Sequence, residues 1–345
     1  MQTNNLGTLE ELPEKYRKDL TELNLVPLWP NMRSVLPYNA PVSKTLPMNW
    51  DYKSIRPLLM ESGELTPIEK AERRVLIMAN PGHGLENLQA TPSIYLGLQL
   101  ILPGETAPNH RHTPNAVRII VEGEGAYTVV DGEPCRMERG DLILTPSGFW
   151  HEHRHEGQGP IVWLDILDLP LIYQLDSSYA LDGEPQQEKL PRDKSFAEYS
   201  AAGVVPRFSA SEQKPVGKML RYPWQRTRNC LVEMSKHYSD ELLRIDYVDP
   251  ETGRSLFPSI GFGAVMLRPG EKVTLPKTTT SYVFHIVEGS GSLQVNADSP
   301  IDWSEKDTLS APGYVHVTLT NHSHELPAFL ITADEAPLHK YLGIF

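Results

Sequence analysis

Only two cysteines, Cys135 and Cys230, occur in 345 residues. Two thiols so far apart, outside any spacing motif, make no disulfide framework and read as reduced side chains. Positive charge is scarce too: 32 Lys and Arg stand against 44 Asp and Glu, a formal net charge of -12. That balance argues against a nucleic acid or an anionic membrane surface as partner. Long apolar runs are missing, and no stretch approaches the roughly 18 residues of a membrane span. The opening Met1 to Gly7 has neither the basic nor the apolar region of a secretory leader. These absences predict a soluble, cytoplasmic protein. What is plentiful is turn chemistry: 30 prolines and 24 glycines, spread along the chain, favour many short strands. The length suggests about two domains.

Sliding the sequence against itself by 166 positions reveals a repeat. Pro92-Ser93-Ile94 meets Pro258-Ser259-Ile260, Gly97 meets Gly263, and Pro103-Gly104-Glu105 meets Pro269-Gly270-Glu271. Val121-Glu122-Gly123 meets Val287-Glu288-Gly289, Asp141 meets Asp307, and Pro146 meets Pro312, all without a gap. The unit is too long for a solenoid and predicts one β-barrel written twice.

The first copy carries His110-Arg-His112 six residues after Gly104, and His151 three after Gly148. Residues two apart on a strand share a face, so His110 and His112 can grip one ion. Pro146 and Gly148 can turn the chain so that His151 returns to the same interior. This G-x5-H-x-H and G-x5-P-x-G-x2-H pattern resembles the two-part signature of cupin barrels. In the second copy the three positions hold Pro276, Thr278 and Val317, so only the first barrel is expected to bind metal. Three neutral imidazoles suit Fe, Zn, Cu or Ni. Ala116-Val117 stands where many cupins place a carboxylate ligand, which leaves an all-histidine site. A divalent ion there keeps its full charge and should favour an anionic chelator.

Neighbouring strands place polar groups where a core should be apolar. Arg118 shares a face with Ala116, and an inward Arg needs an anion nearby. Tyr95, Gly97 and Gln99 alternate with Ile94, Leu96, Leu98 and Leu100, and read as pocket lining, with Gly97 leaving room. Asp165 interrupts an apolar strand beside Trp163 and reads as part of the site; the lesser alternative is a plain buried ion pair with Arg118. His153 shares parity with His151, while His155 reads as solvated rim. Glu105 recurs as Glu271 in the metal-free copy, which favours a structural role.

The expected architecture is an all-β-dominated bicupin with N-terminal and connecting helices. Its divisions are an N-terminal helical arm over 1–70, a metal-binding barrel over 71–175, a connector with a helix over 176–248, and a metal-free barrel over 249–345. Leu9 to Asn24 has helical spacing, Trp29 to Ser54 reads as an extended arm, and Trp224 to His237 reads as a helix.

Taken together these residues resemble the gentisate 1,2-dioxygenase family, which includes salicylate and 1-hydroxy-2-naphthoate dioxygenases. The resemblance covers most of the chain. Its most distinctive stretches are Glu72 to Gly82, Glu105 to His112, Val121 to Gly125 and Arg139 to Pro146, with Leu25 to Trp29 resembling the family's N-terminal arm. The resemblance implies Fe(II) on His110, His112 and His151. It implies Arg74 and Arg118 at the substrate carboxylate, Gln99 and His153 at the hydroxyls, Asp165 in the hydrogen-bond network, and a homotetramer. It further implies oxidation of gentisate by O2 to maleylpyruvate in aromatic catabolism, with salicylate or 1-hydroxy-2-naphthoate as alternative substrates of the same chemistry. A zinc cupin isomerase is disfavoured by the missing carboxylate ligand and the inward Arg. A non-catalytic binding bicupin would predict ligands lost from both barrels.

Overall fold

A computed structural model describes residues 7–206, 219–239 and 242–345. The N-terminal 1–6 and the connector stretch 207–218 lie outside the described residues. The chain divides into two compact units, Met1–Ser43 and Lys44–Phe345. In the first, the expected helix spans Glu14–Glu22 within Leu9 to Asn24, and a short helix spans Met32–Val35. Trp29 to Ser54 is therefore not wholly an extended arm. Its later part, in the second unit, forms the strand Met48–Trp50 and opens a helix at Tyr52 capped by Asp51, whose carboxylate accepts from Ser54 N–H at 2.9 Å.

Among the described residues, the second unit holds four sheets. A six-stranded sheet (221–222, 142–145, 116–122, 161–167, 95–101, 74–77) and a five-stranded sheet (180–182, 106–112, 151–155, 126–130, 133–137) build the first barrel. A second six-stranded sheet (48–50, 308–311, 282–288, 328–334, 261–267, 243–246) and a four-stranded one (272–275, 317–321, 291–295, 301–303) build the second. Antiparallel pairing of sequence-distant strands within each barrel gives the double-layered cupin jelly roll. Short strands from outside the repeat complete the edges. Met48–Trp50 pairs with Thr308–Ala311, while Ala180–Asp182 and Arg221–Tyr222, from the connector, pair with strands of the first barrel. Trp224–Ser235 forms the expected connector helix.

The 166-residue offset holds for most strands: 95–101 matches 261–267, 116–122 matches 282–288, and 151–155 matches 317–321, while 126–130 matches 291–295 at an offset of 165. The last strand, 161–167, matches 328–334, so one residue is inserted in the preceding loop of the second copy. A loop absorbs such an insertion without disturbing register.

The two six-stranded sheets lie back to back. Leu96, Leu98, Leu100, Val117, Ile119, Leu164 and Ile166 from one pack in a single core with Phe262, Ala264, Met266, Val283, Phe329 and Ile331 from the other. This is why Ala116–Glu122, reading AVRIIVE, is nearly continuous in apolar residues: one face lines a barrel and the other is covered by the second barrel. Inside the first barrel, Ile101, Ile120, Met137, Ile143 and Trp163 close one end, and the other end carries the polar groups described next. No helix among the described residues is long and apolar enough to cross a membrane.

Candidate metal and substrate site

His110 and His112 stand two apart on the strand Thr106–His112, and His110 pairs in register with His151 on the neighbouring strand. The turn that delivers His151 is closed by Phe149 N–H to Pro146 O at 3.1 Å and held to the first ligand strand by Gly148 N–H to His112 O at 2.9 Å. Gly148 sits at φ 79°, the left-handed region a side chain resists. The ring centroids lie 5.3 Å (His110–His112), 4.1 Å (His110–His151) and 4.8 Å (His112–His151) apart. One nitrogen from each lies within 4.8 Å of the others, the one such cluster of metal-ligating side chains among the described residues.

The protonation chemistry suits a cation. His112 Nδ1 faces Pro114 O at 2.8 Å and His151 Nδ1 faces Phe149 O at 3.0 Å. A carbonyl acceptor fixes the proton on Nδ1 and leaves the Nε2 lone pair for a metal. His151 Nε2 is buried and has no hydrogen-bond partner among the described residues. Burial is the first cause in each case and lowers all three: His110 to about 2, with Arg73 next; His112 to about 4, with Arg118 next; and His151 well below the usual value, with Arg118 and the neighbouring histidines next. Neutral imidazoles, an orphaned acceptor and no carboxylate at Ala116 fit a divalent metal on nitrogen ligands.

Around this cluster the barrel supplies a polar wall. Arg118 Nε lies 3.2 Å from Asp165 Oδ1, yet neither atom makes a hydrogen bond among the described residues. Arg118 also donates to Thr145 Oγ1, and Asp165 Oδ2 accepts from Trp163 Nε1 at 3.1 Å. Burial raises the Asp165 carboxyl, with Arg118 pulling it back. The pair is thus close but incompletely bonded, with donor capacity to spare. Gln99 Nε2 and His153 Nε2 are likewise buried and unpartnered among the described residues. His153 Nδ1 meets Thr128 Oγ1 at 2.9 Å, and its ring lies 4.8 Å from that of Trp163. Tyr95 and Gly97 pair in register with Leu167 and Asp165, beside Gln99 opposite Trp163, so all three face the pocket. A Cβ on Gly97 would come within 2.5 Å of Val75 Cγ1 and 2.7 Å of the Tyr95 hydroxyl.

Two expectations are corrected. Arg74 does not face the site. It pairs in register with Leu100, on the face turned from Gln99, and forms an ion pair with Glu105 while also donating to Gly63 O at 3.3 Å. Glu105 in turn accepts Leu102 N–H at 2.7 Å, as Glu271 accepts Arg268 N–H at 2.6 Å in the other barrel. The residue at the site is Arg73. Its guanidinium contacts Pro108 O and His110 Nδ1, and Arg118 and Asp165 both influence its charge. Burial lowers it to about 10, so it remains a cation at neutral pH. The signal was the strand parity of Val75, opposite Gln99, which puts Arg73 on the pocket face. The second correction is His155, which is not rim: it is 3% exposed, with Nε2 against Gly159 O of the loop that folds over it.

The cupin domain family matches residues 97–167. A gentisate 1,2-dioxygenase of Ralstonia sp is 53% identical over 99% of this chain and 96% of its own length. Gentisate 1,2 dioxygenase 1 of Aquipseudomonas alcaligenes is 35% identical over 99% and 98%. Among solved structures, salicylate 1,2-dioxygenase from Pseudoaminobacter salicylatoxidans, as adducts with gentisate, superposes with a TM-score of 0.87 at 30% identity, covering 97% of this chain and 93% of that one.

Proposed function

The chain belongs to the gentisate 1,2-dioxygenase family of ring-cleaving dioxygenases, and from that premise we propose that it opens gentisate with O2 to give maleylpyruvate, using Fe(II) held by His110, His112 and His151. The observation that carries this reading is a cluster of three neutral, mutually adjacent imidazoles beside the buried Arg118 and the partly buried Arg73, in one barrel of two. Fe(II), when bound, supplies coordination positions for the hydroxy acid and an electron path between ring and dioxygen.

The chain's own residues then position and polarise. Arg73 and Arg118 meet the substrate carboxylate, giving charge-assisted hydrogen bonds that fix the ring's orientation. Asp165 keeps Arg118 charged and aimed in a site that would otherwise disfavour a cation. Gln99 Nε2 donates to a ring hydroxyl. His153, its Nδ1 engaged by Thr128, presents Nε2 to the para-hydroxyl and orients it by a hydrogen bond. Tyr95, Gly97 and Val75 bound the edge of the ring. Both oxygen atoms end in the product, through cleavage between the carboxyl-bearing and hydroxyl-bearing carbons.

We assign the remainder in the same way: an N-terminal arm over 1–70, the working barrel over 71–175, a connector over 176–248 and a metal-free barrel over 249–345. The protein then acts as a cytoplasmic homotetramer, a state that sedimentation would check. Metal analysis of anaerobically purified protein, combined with oxygen uptake on gentisate, tests the function. Iron at one equivalent per chain and one O2 consumed per gentisate are expected. Turnover of salicylate with none of gentisate would move the reading to the salicylate branch, and no uptake on either would reject it.

A further inference from the structure

A polar relay anchored on a buried carboxylate links two of the ligand segments, and the steps above make no use of it. Asp168, 1% exposed, follows the strand Ile161–Leu167. Its Oδ1 accepts Asn115 N–H at 2.7 Å, and its Oδ2 accepts the Asn115 carboxamide at 2.9 Å. The other end of that carboxamide, Oδ1, accepts Ser147 N–H at 3.1 Å, in the turn that returns the chain to His151. One residue before Asn115, the Pro114 carbonyl holds His112 Nδ1 at 2.8 Å. A single side chain therefore ties the segment that orients His112 to the turn that aims His151. A further bond to Asp168 Oδ2 comes from the hydroxyl of Ser259, in the lead-in to the second barrel.

The second barrel supplies the control. There Glu335 takes the place of Asp168: it accepts Ser281 N–H at 2.9 Å and the hydroxyl of Thr91, from the lead-in to the first barrel. The carboxylate clasp between barrels is thus duplicated. The carboxamide bridge is not, because Ser281 and Gly313 occupy the positions of Asn115 and Ser147. The barrel without metal ligands keeps the clasp and lacks the bridge.

We propose that Asn115, clamped by Asp168, is a positioning residue for His112 and His151, and that the metal-free barrel completes the clamp through Ser259. The inference rests on the reading that the three histidines hold a divalent metal. Groups that orient ligands in this way govern metal affinity because an unrestrained imidazole must be ordered at the moment of binding.

The test is Co(II) titration of the metal-free full-length protein against a competing chelator, with the Co(II) visible spectrum and the melting temperature recorded alongside. Asn115→Ser installs the residue of the other barrel and keeps the backbone bond to Asp168. It should weaken Co(II) binding by about 10–100-fold and alter the spectrum. Asp168→Glu, the other barrel's own solution, should retain the parent affinity. Ser259→Ala should weaken binding less than Asn115→Ser. Parent affinity and spectrum in both Asn115→Ser and Ser259→Ala would overturn the proposal, as would a lowered melting temperature with affinity intact. Should Asn115→Ser not fold, Ser259→Ala decides alone: weakened binding upholds the clamp and unchanged binding overturns it. A parent protein that binds no Co(II), or His151→Ala that binds it fully, would reject the metal reading itself, which is a distinct result.

Discussion

Adjacent arginines with opposite orientations make a sharp experiment. Arg73 faces the histidine cluster, whereas Arg74 faces away and pairs with Glu105. If Arg73 holds the substrate carboxylate, Arg73→Ala removes a charge-assisted hydrogen bond, for which about 1.5–3 kcal/mol is usual. That corresponds to a rise of about 10- to 150-fold in KM for gentisate. Its stability should change little, because no carboxylate loses a direct ion-pair partner. Arg74→Ala should do the reverse. The Arg74 side chain is 1% exposed and Glu105 is 19% exposed, so the abandoned carboxylate can partly rehydrate. The loss should fall near the lower end of the range for a broken buried pair, about 3 kcal/mol. At the usual unfolding entropy per residue, that lowers Tm by about 4 °C for a single cooperative transition. Oxygen uptake against gentisate concentration and a thermal melt, run on both variants, complete the assay. A raised KM in Arg74→Ala with an unchanged melt, beside a parent-like Arg73→Ala, would refute the assignment.

His110→Ala and His151→Ala should each abolish metal uptake while circular dichroism stays that of the parent; full occupancy in either would sink the site. Acid should destabilise the metal-free protein through its depressed histidines. With His112 at about 4 and His285, buried between the barrels, at about 3, against 6.5 unfolded, their contribution is complete above pH 6.5 and is lost as pH falls toward the folded values. Urea midpoints that stay flat from pH 7 to 5 would contradict this. Gly97→Ala should cost about 1–3 kcal/mol through overpacking against Val75 and Tyr95. Adding Val75→Ala should recover much of that loss, and a single variant as stable as the parent would disprove the close fit.

The histidine cluster was legible because both of its rules are local: strand parity places His110 with His112, and a Pro–Gly turn returns His151. The barrel pairing was legible because most strands of the repeat, 95–101, 116–122 and 151–155 among them, keep one spacing. Arg73 was hidden behind Arg74 because parity within a strand says which residues share a face, and only cross-strand register says which face is inward. A turn at Glu72, with φ 53°, precedes the pair and carries no hydrophobic pattern from which to count. The edge strands Met48–Trp50, Ala180–Asp182 and Arg221–Tyr222 were invisible for a related reason. Each is two or three residues long and finds its partner far along the chain, beyond what periodicity can sense.

The back-to-back packing of the large sheets constrains how the duplicated half can diverge. At the positions of the three histidines it carries Pro276, Thr278 and Val317, while its rear row presents Phe262, Ala264 and Met266 to its sibling. A polypeptide truncated after Asp168 would leave Leu96, Leu98, Ile119 and Leu164 facing water as one greasy plane, and should precipitate or self-associate. The second barrel thus works as a cover for its neighbour's back, a duty set by the apolar row it presents and independent of what its interior holds.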